Sequence, residues 1–485
     1  MPTHPTRRSL VKAGGVLAAA AALPPATAAE AVETAETAEA AELAGPQYED
    51  GPWALVPQIL ARITPPVFPD RWFDIRDYGA VGDGLTKNTD AFRAAIAACN
   101  AAGGGHVRVP EGRFLTGAVH LLSNVDLHVT EGATVLFSTD PADYLPVVLT
   151  RWEGTECYNY SSFVYAYGQE NLSISGGGVL DGQGMTGPWK SWRDPGGNAL
   201  IDQAALRAMG EQGVPVAERV FGEGHHLRPN MIQFYRCRNI VMRNLTVLEP
   251  PMWTIHPVLC TNVLLDSVDV IGRINNSDGA DPECCSDVYI VNCRFHTEDD
   301  SIAVKSGRDE DGLRVGVPSE NIVVRNCVFS GRWGGIAVGS EMSGGARNIF
   351  AENCEINPLS FPGRYNPRHP VFLKTNKKRG GYIDGVYVRR FTGRQIDRDC
   401  IYLTARYSNQ TGDRPAIIRN VVVEHMEHDG ARMAVNFEGL ASDPFSDIRI
   451  SQCEFVHTTQ DSRIEHVVNL TLDRVYDDGI QLRYP

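Results

Sequence analysis

The chain has 485 residues, 43% of them hydrophobic and 21% charged, enough for one large domain or two ordinary ones with a substantial core. Lys and Arg number 45 against 59 Asp and Glu, a net charge of −14 that argues against a non-specific nucleic-acid binder. No apolar run approaches the roughly 20 residues that cross a bilayer as a helix, which excludes a protein embedded in a membrane that way.

At the N-terminus, Thr6-Arg7-Arg8-Ser9-Leu10-Val11-Lys12 precedes a mildly apolar stretch to Leu23, then Pro24, Pro25 and the small-residue site Ala26-Thr27-Ala28. Basic, apolar, then small is the order of a signal peptide, and the arginine pair predicts the twin-arginine type, cleaved near Ala28. Residues 29–70 read as an acidic Ala/Glu-rich linker and lead-in, with Glu30, Glu33, Glu36, Glu39 and Glu42 spaced among Ala and Thr. The folded domain is expected over 71–485. Its first element is an amphipathic helix from Asn88 to Ala102, with Phe92, Ile96 and Cys99 on one face. Asn88 or Thr89 is the expected cap, and Gly103-Gly104-Gly105 the stop.

From residue 124 a short pattern recurs: Asn or Asp, a branched apolar residue, any residue, another apolar residue. It begins at Asn124, Asn171, Asn239, Asn262, Asp287, Asn321, Asn348, Asn420 and Asp447, with Gly385 as a variant. Starts from Asn239 to Asn348 are 23, 25, 34 and 27 residues apart. Each instance alternates like a strand, and a unit this short must bury its apolar face on its neighbours. The fold class that follows is all-β, a solenoid of the parallel β-helix type capped at its N-terminal end by the helix. A propeller is the alternative, with a more regular and longer period. Of the 11 cysteines, an odd number, Cys293, Cys327, Cys354 and Cys453 share one place in the repeat, which suits a buried stacked role better than disulfides or a metal.

The chemically richest stretch is Asn276-Ser277-Asp278-Gly279-Ala280-Asp281-Pro282, followed by Thr297-Glu298-Asp299-Asp300-Ser301. Asp278 precedes Asp299 by 21 residues, close to one coil, and stacked strands lie about 4.8 Å apart. Asp278, Asp281, Asp299 and Asp300 are therefore expected in one patch, where at least one must hold a proton. A protonated acid beside ionised carboxylates is what glycosidic bond hydrolysis requires. Solvated acidic turns and a calcium site are the competing readings.

These two motifs, with Glu298 to Gly307 reading Glu-Asp-Asp-Ser-Ile-Ala-Val-Lys-Ser-Gly, resemble the paired signature of glycoside hydrolase family 28, the polygalacturonases. Gly339-Ser340-Glu341-Met342-Ser343-Gly344-Gly345 and Lys374-Thr375-Asn376 match as well. The segments Phe73–Gly84 and Gly176–Gly184 are similar to the wider group of pectin-degrading β-helix enzymes. The resemblance implies a right-handed parallel β-helix that hydrolyses α-1,4-galacturonosyl linkages in pectin with inversion. It implies Asp299 as general acid, Asp278 and Asp300 as the carboxylates that activate water, and Asp281 as a supporting or sugar-contacting residue that binds substrate. An inverting pair is expected to stand about 6.5–9.5 Å apart.

Two departures stand out. Trp333 replaces the family's histidine before the glycine pair, and Phe372 replaces the arginine of Arg-x-Lys, while Lys374 is kept. Trp333 suits the apolar face of a sugar, or packs at a coil edge. Between Arg364 and Arg394 nine basic residues face one acid, Asp384, a block that either steers a polyanion or is a solvated loop. Glu341 is expected on a sugar hydroxyl. Trp253 and His256 either floor a subsite or pack in the core, and Arg308 and Tyr407 are further candidates for substrate binding. Two Gly- and Pro-rich interruptions, Met185–Arg228 and Asn357–Val371, are expected to wall one end of the cleft and favour exo action. The expected protein is an exported, metal-independent and cofactor-free monomer acting on pectic polysaccharide or oligogalacturonide, with no nucleic-acid or membrane partner. Another pectic linkage such as rhamnogalacturonan or xylogalacturonan, a calcium-dependent pectic lyase and a non-catalytic carbohydrate-binding solenoid are the alternatives.

Overall fold

The computed structural model describes residues 51–360 and 366–484. The expected signal peptide and the acidic stretch up to residue 50 lie outside them. The described chain is all-β with a few short helices, and its strands pair almost entirely in parallel. One ladder runs through Val119, Val164, Ile232, Ile255, Ala280, Ile302, Ile336, Val371, Ile401 and Val435, each the parallel partner of the next. A second, longer-stranded ladder joins Arg238–Leu248, Thr261–Ile271 and Ser286–Val291, then Ser319–Arg325, Ala346–Ile356 and Tyr382–Arg394. The exceptions to parallel pairing include the hairpin Val148–Trp152/Thr155–Asn159 and the last strand's short return at Ile480–Gln481.

The repeat's first residue has a conformational reason. Every start named above lies in the left-handed region, with φ of 56° at Asn239, 57° at Asn262, 56° at Asp287 and 87° at Gly385. Asn, Asp and Gly tolerate that conformation and branched residues do not. Asn also gains a partner: Asn171 Nδ2 donates to Asn124 Oδ1 (2.8 Å), Asn239 to Asn171 (2.9 Å) and Asn262 to Asn239 (3.1 Å). The next branched residues, such as Val263, Val288 and Ile322, point inward and stack in one continuous apolar core. Burial of such a side chain contributes about 1.5–3 kcal/mol.

All 11 cysteines are free and buried. Cys293, Cys327 and Cys354 follow one another up the stack, as do Cys237, Cys260 and Cys285 on another edge. The amphipathic helix spans Thr89–Ala101 and buries Phe92, Ile96 and Cys99 in the same core. It stops at the expected glycines, Gly104 N–H donating to Cys99 C=O (2.9 Å). Neither expected cap acts as one. The Asn88 amide instead ties the preceding loop through Val81 and Thr86, and Thr89 Oγ1 accepts from Gly117 N–H. Residues 51–62 also join the fold. Trp53 packs on Phe350 under Arg389, and the helix Val56–Arg62 ends on an Arg62–Asp287 ion pair.

Candidate active site

The register between coils builds the site. Ala280 pairs with Ile302, an offset of 22 residues rather than 21, so Asp278 lies against Asp300 and Asp299 flanks them. Gly279 N–H donates to the Asp300 carbonyl (2.9 Å) and fixes that register. One carboxylate oxygen from each of Asp278, Asp299 and Asp300 lies within 4.8 Å of the others. This is closer than the 6.5–9.5 Å expected of an inverting pair, because neighbouring coils are only one strand spacing apart.

Asp299 is the half-buried member and lines a cavity of about 320 Å³, together with Asp278. Its carboxyl is pushed up to about 7, first by burial and then by the Asp300 charge, against the pull of Lys374 and Lys305. Burial, then Asp299 and Asp281, hold Asp278 well above the ordinary carboxylate range. Asp278 and Asp299 titrate together, and one proton relieves their mutual repulsion. Asp300 is engaged at both oxygens: Gly334 N–H donates to one (2.8 Å) and the Lys374 ammonium to the other. A Cβ at position 334 would sit 2.9 Å from that Asp300 oxygen, so the contact depends on glycine.

Lys305 is the residue sequence reasoning passed over, although it lies within a matched motif. It points outward two positions after Ala303, and its Nζ stands 3.6 Å from Asp278, 3.6 Å from Asp281 and 3.4 Å from Glu341. The ring of Trp253 covers it at 4.4 Å. Both Asp281 oxygens are buried without a hydrogen-bond donor, so Asp281 serves Lys305 electrostatically rather than lining the cavity. Lys305 and Lys374 supply at this cluster the positive charge that a divalent cation would otherwise bring.

The rest of the cavity lining is largely charged. Arg308 donates to Glu341 (2.8 Å), and Arg379 binds Asp309 and the Ser340 carbonyl (2.6 Å each) beside them. Burial disfavours the Glu341 anion, yet Lys305, Arg308 and Arg379 together hold it below the usual range. Burial and then Arg379 draw Arg308 down to about 10. The interruption at 185–228 folds into helices Pro188–Arg193 and Ala199–Glu211, and it contributes Arg193, Gln203 and Arg207 to this lining. Glu153, at the tip of the antiparallel hairpin, accepts from Gln203 (2.9 Å) and Arg207. No strand pattern pointed to these residues, since packing brings them in from a loop.

Lys374 and Tyr407 line the same cavity, as do Glu341 and Arg308. Trp333 does not; it lines an adjoining space and stacks on Arg368 at 3.7 Å. Nor does His256 floor a subsite. It is fully buried edge-on beneath Trp253, accepting from Asn230 and Gln233 (3.0 Å each) and facing Glu283 at 2.8 Å. The basic block divides: Lys374 and Arg379 reach the cavity, whereas Arg389 and Arg390 pair with Glu352 on another face. Arg364 lies outside the described residues.

The model of the glycosyl hydrolases family 28 matches residues 218–471. A probable polygalacturonase of Vitis vinifera is 30% identical over 392 residues, covering 77% of this chain and 72% of that protein. An exo-poly-alpha-D-galacturonosidase of Dickeya chrysanthemi is 27% identical over 363 residues, 70% of this chain and 58% of that one. Among solved structures, a hyperthermoactive exopolygalacturonase from Thermotoga maritima superposes with a TM-score of 0.83 at 40% identity, covering 88% of this chain and 96% of the other.

Proposed function

This chain belongs to glycosyl hydrolases family 28 and is a glycosidase, and from that we propose an exported polygalacturonase that removes units from the end of a galacturonan chain by hydrolysis with inversion. The observation that carries the reading is the Asp278–Asp299–Asp300 cluster, two of whose members line a charged cavity of about 320 Å³. Asp299, its carboxyl lifted to about 7, gives its proton to the glycosidic oxygen. Asp278 and Asp300, held from behind by Lys305 and Lys374, orient and deprotonate the attacking water. Exo action is supported by the lining that the hairpin tip and the 185–228 interruption add, Glu153, Arg193 and Arg207, which narrows the room for a continuing polymer. Lys374, Tyr407, Arg308 and Glu341 hold the terminal sugar. The coils are read as a right-handed parallel β-helix, with Thr89–Ala101 closing the N-terminal end. Residues 1–28 are read as a twin-arginine-type signal, and the mature protein as a monomer.

Incubation of the mature protein with polygalacturonate tests this reading. A single short product accumulating from the first minutes, with slow loss of viscosity, is expected. A ladder of oligomers would overturn exo action, and an unsaturated product would overturn hydrolysis. The 4.8 Å clustering favours a second reading, in which one carboxylate attacks carbon and the configuration is retained. Proton NMR of the first-formed anomer separates the two.

A further inference from the structure

Next to the cavity of the aspartates lies a second one of about 580 Å³ that shares Tyr407 and Ser408 with it. One outward ladder position is occupied in successive coils by Ala303, Ala337, Phe372, Tyr402 and Asn436, and the last three line this cavity. Ala303, Ala337 and Phe372 pack into one small apolar cluster, with Trp333, Tyr402 and Tyr407 against it. Phe372 and Tyr402 then stack at 5.2 Å and 9° to form a flat aromatic surface. The rim carries five arginines against one glutamate, Glu438. Three of the five are paired: Arg406 with Glu465, Arg432 with Asp399, and Arg463 with Glu438. Arg368 and Arg398 have no ion-pair partner among the described residues. Arg368 is half-buried on the Trp333 ring (3.7 Å), and the two residues that depart from the family pattern, Trp333 and Phe372, both line this space.

We propose that this cavity binds the continuing part of an anionic sugar chain, with Arg368, splinted by Trp333, and Arg398 holding the carboxylates of units beyond the bond that is cut. The inference rests on the galacturonan reading of the neighbouring site and adds a requirement for free acid groups outside the first cavity. Burial, then the charges of Arg332 and Arg398, bring the Arg368 guanidinium down from its usual range, a crowding of cations that a bound carboxylate relieves. The aromatic surface offers sugar rings an apolar face beside the arginines. The cation lost at position 372 is thereby replaced from a neighbouring coil edge.

The test is calorimetric titration of the full-length D299N protein with tetragalacturonate, in D299N itself and in D299N carrying R368Q and R398Q. Each charge-assisted contact is expected to be worth about tenfold, so the triple variant should bind about 10–100-fold more weakly at an unchanged melting temperature. Independently of those variants' folding, D299N should bind the fully methyl-esterified tetramer at least about tenfold more weakly than the free acid. Affinities equal within about twofold in either comparison overturn the proposal. Turnover of polygalacturonate by the unaltered enzyme is scored separately. Its absence overturns the function proposed above, whereas cleavage with no affinity difference overturns only the arginine groove.

Discussion

Replacing Lys305 by methionine keeps the volume but strips the one ammonium shared by Asp278, Asp281 and Glu341. At separations of 3.4–3.6 Å and an effective dielectric near 20, each pair is worth about 4–5 kcal/mol as a ceiling. If a third of that acts on Asp278, its carboxyl rises by about one further pH unit. In the proposed hydrolysis Asp278 must be ionised to activate water, so the acidic limb of kcat/KM should move up by about one unit, with about a tenfold loss at pH 5. Removing one partner from a buried ion cluster also costs stability, about 3–5 kcal/mol. Its sign with pH is fixed. A carboxyl raised in the folded state binds more protons there than when unfolded, so stability falls as pH rises from about 4 through the raised value. The melting deficit of K305M should be small at pH 4 and largest near neutrality. The assays are a pH–rate profile on oligogalacturonate and calorimetric melting at both ends of the range. An acidic limb and a melting temperature indistinguishable from the parent would refute the role given to Lys305.

Other perturbations follow from the same geometry. Asp299→Asn should lower kcat by about 10²–10⁴ while leaving the fold intact, checked by turnover and melting in parallel. With Asp299 near 7, kcat/KM should decline above about pH 7 as its proton is lost, and a profile flat to pH 9 would exclude it as the acid. His428 lies buried in the space left by Gly393, with neither ring nitrogen hydrogen-bonded, and is pushed down to about 4 by burial. Because unfolding lets it take a proton, its cost appears as pH falls from about 6.5 to 4 and reaches at most about 3 kcal/mol. His428→Leu should flatten that acid limb of the melting curve. Prolonged dialysis against a chelator should leave kcat unchanged, since Lys305 and Lys374 already balance the carboxylates.

What could be read beforehand was whatever a single backbone conformation imposes. The starts at Asn124 through Asp447 were legible because a left-handed corner admits few residue types and because the amides then pair. The aspartate cluster was legible because the same corners set the coil length. The offset of 22, which sets Asp278 against Asp300, was not, since a difference of one residue between coils leaves no mark on composition. Lys305 was hidden in a matched motif whose alternation had not been followed outward. Arg193, Arg207 and Glu153 owe their places to a loop and a hairpin folding over from elsewhere, and no local periodicity records that. For His256 a subsite floor and a core position both stood open. Its two amide donors and Glu283 are distant in sequence, and they make it a buried link under Trp253.

The corner asparagines run one way. Asn262 gives its hydrogen to Asn239, Asn239 to Asn171 and Asn171 to Asn124, so every amide dipole in that file has the same heading and polarises the next. Reversing a single amide would set donor against donor on one side and acceptor against acceptor on the other. The file therefore behaves like a zip fastener with a built-in polarity: coils that close in step extend it, and a coil that slips by one residue finds no mate.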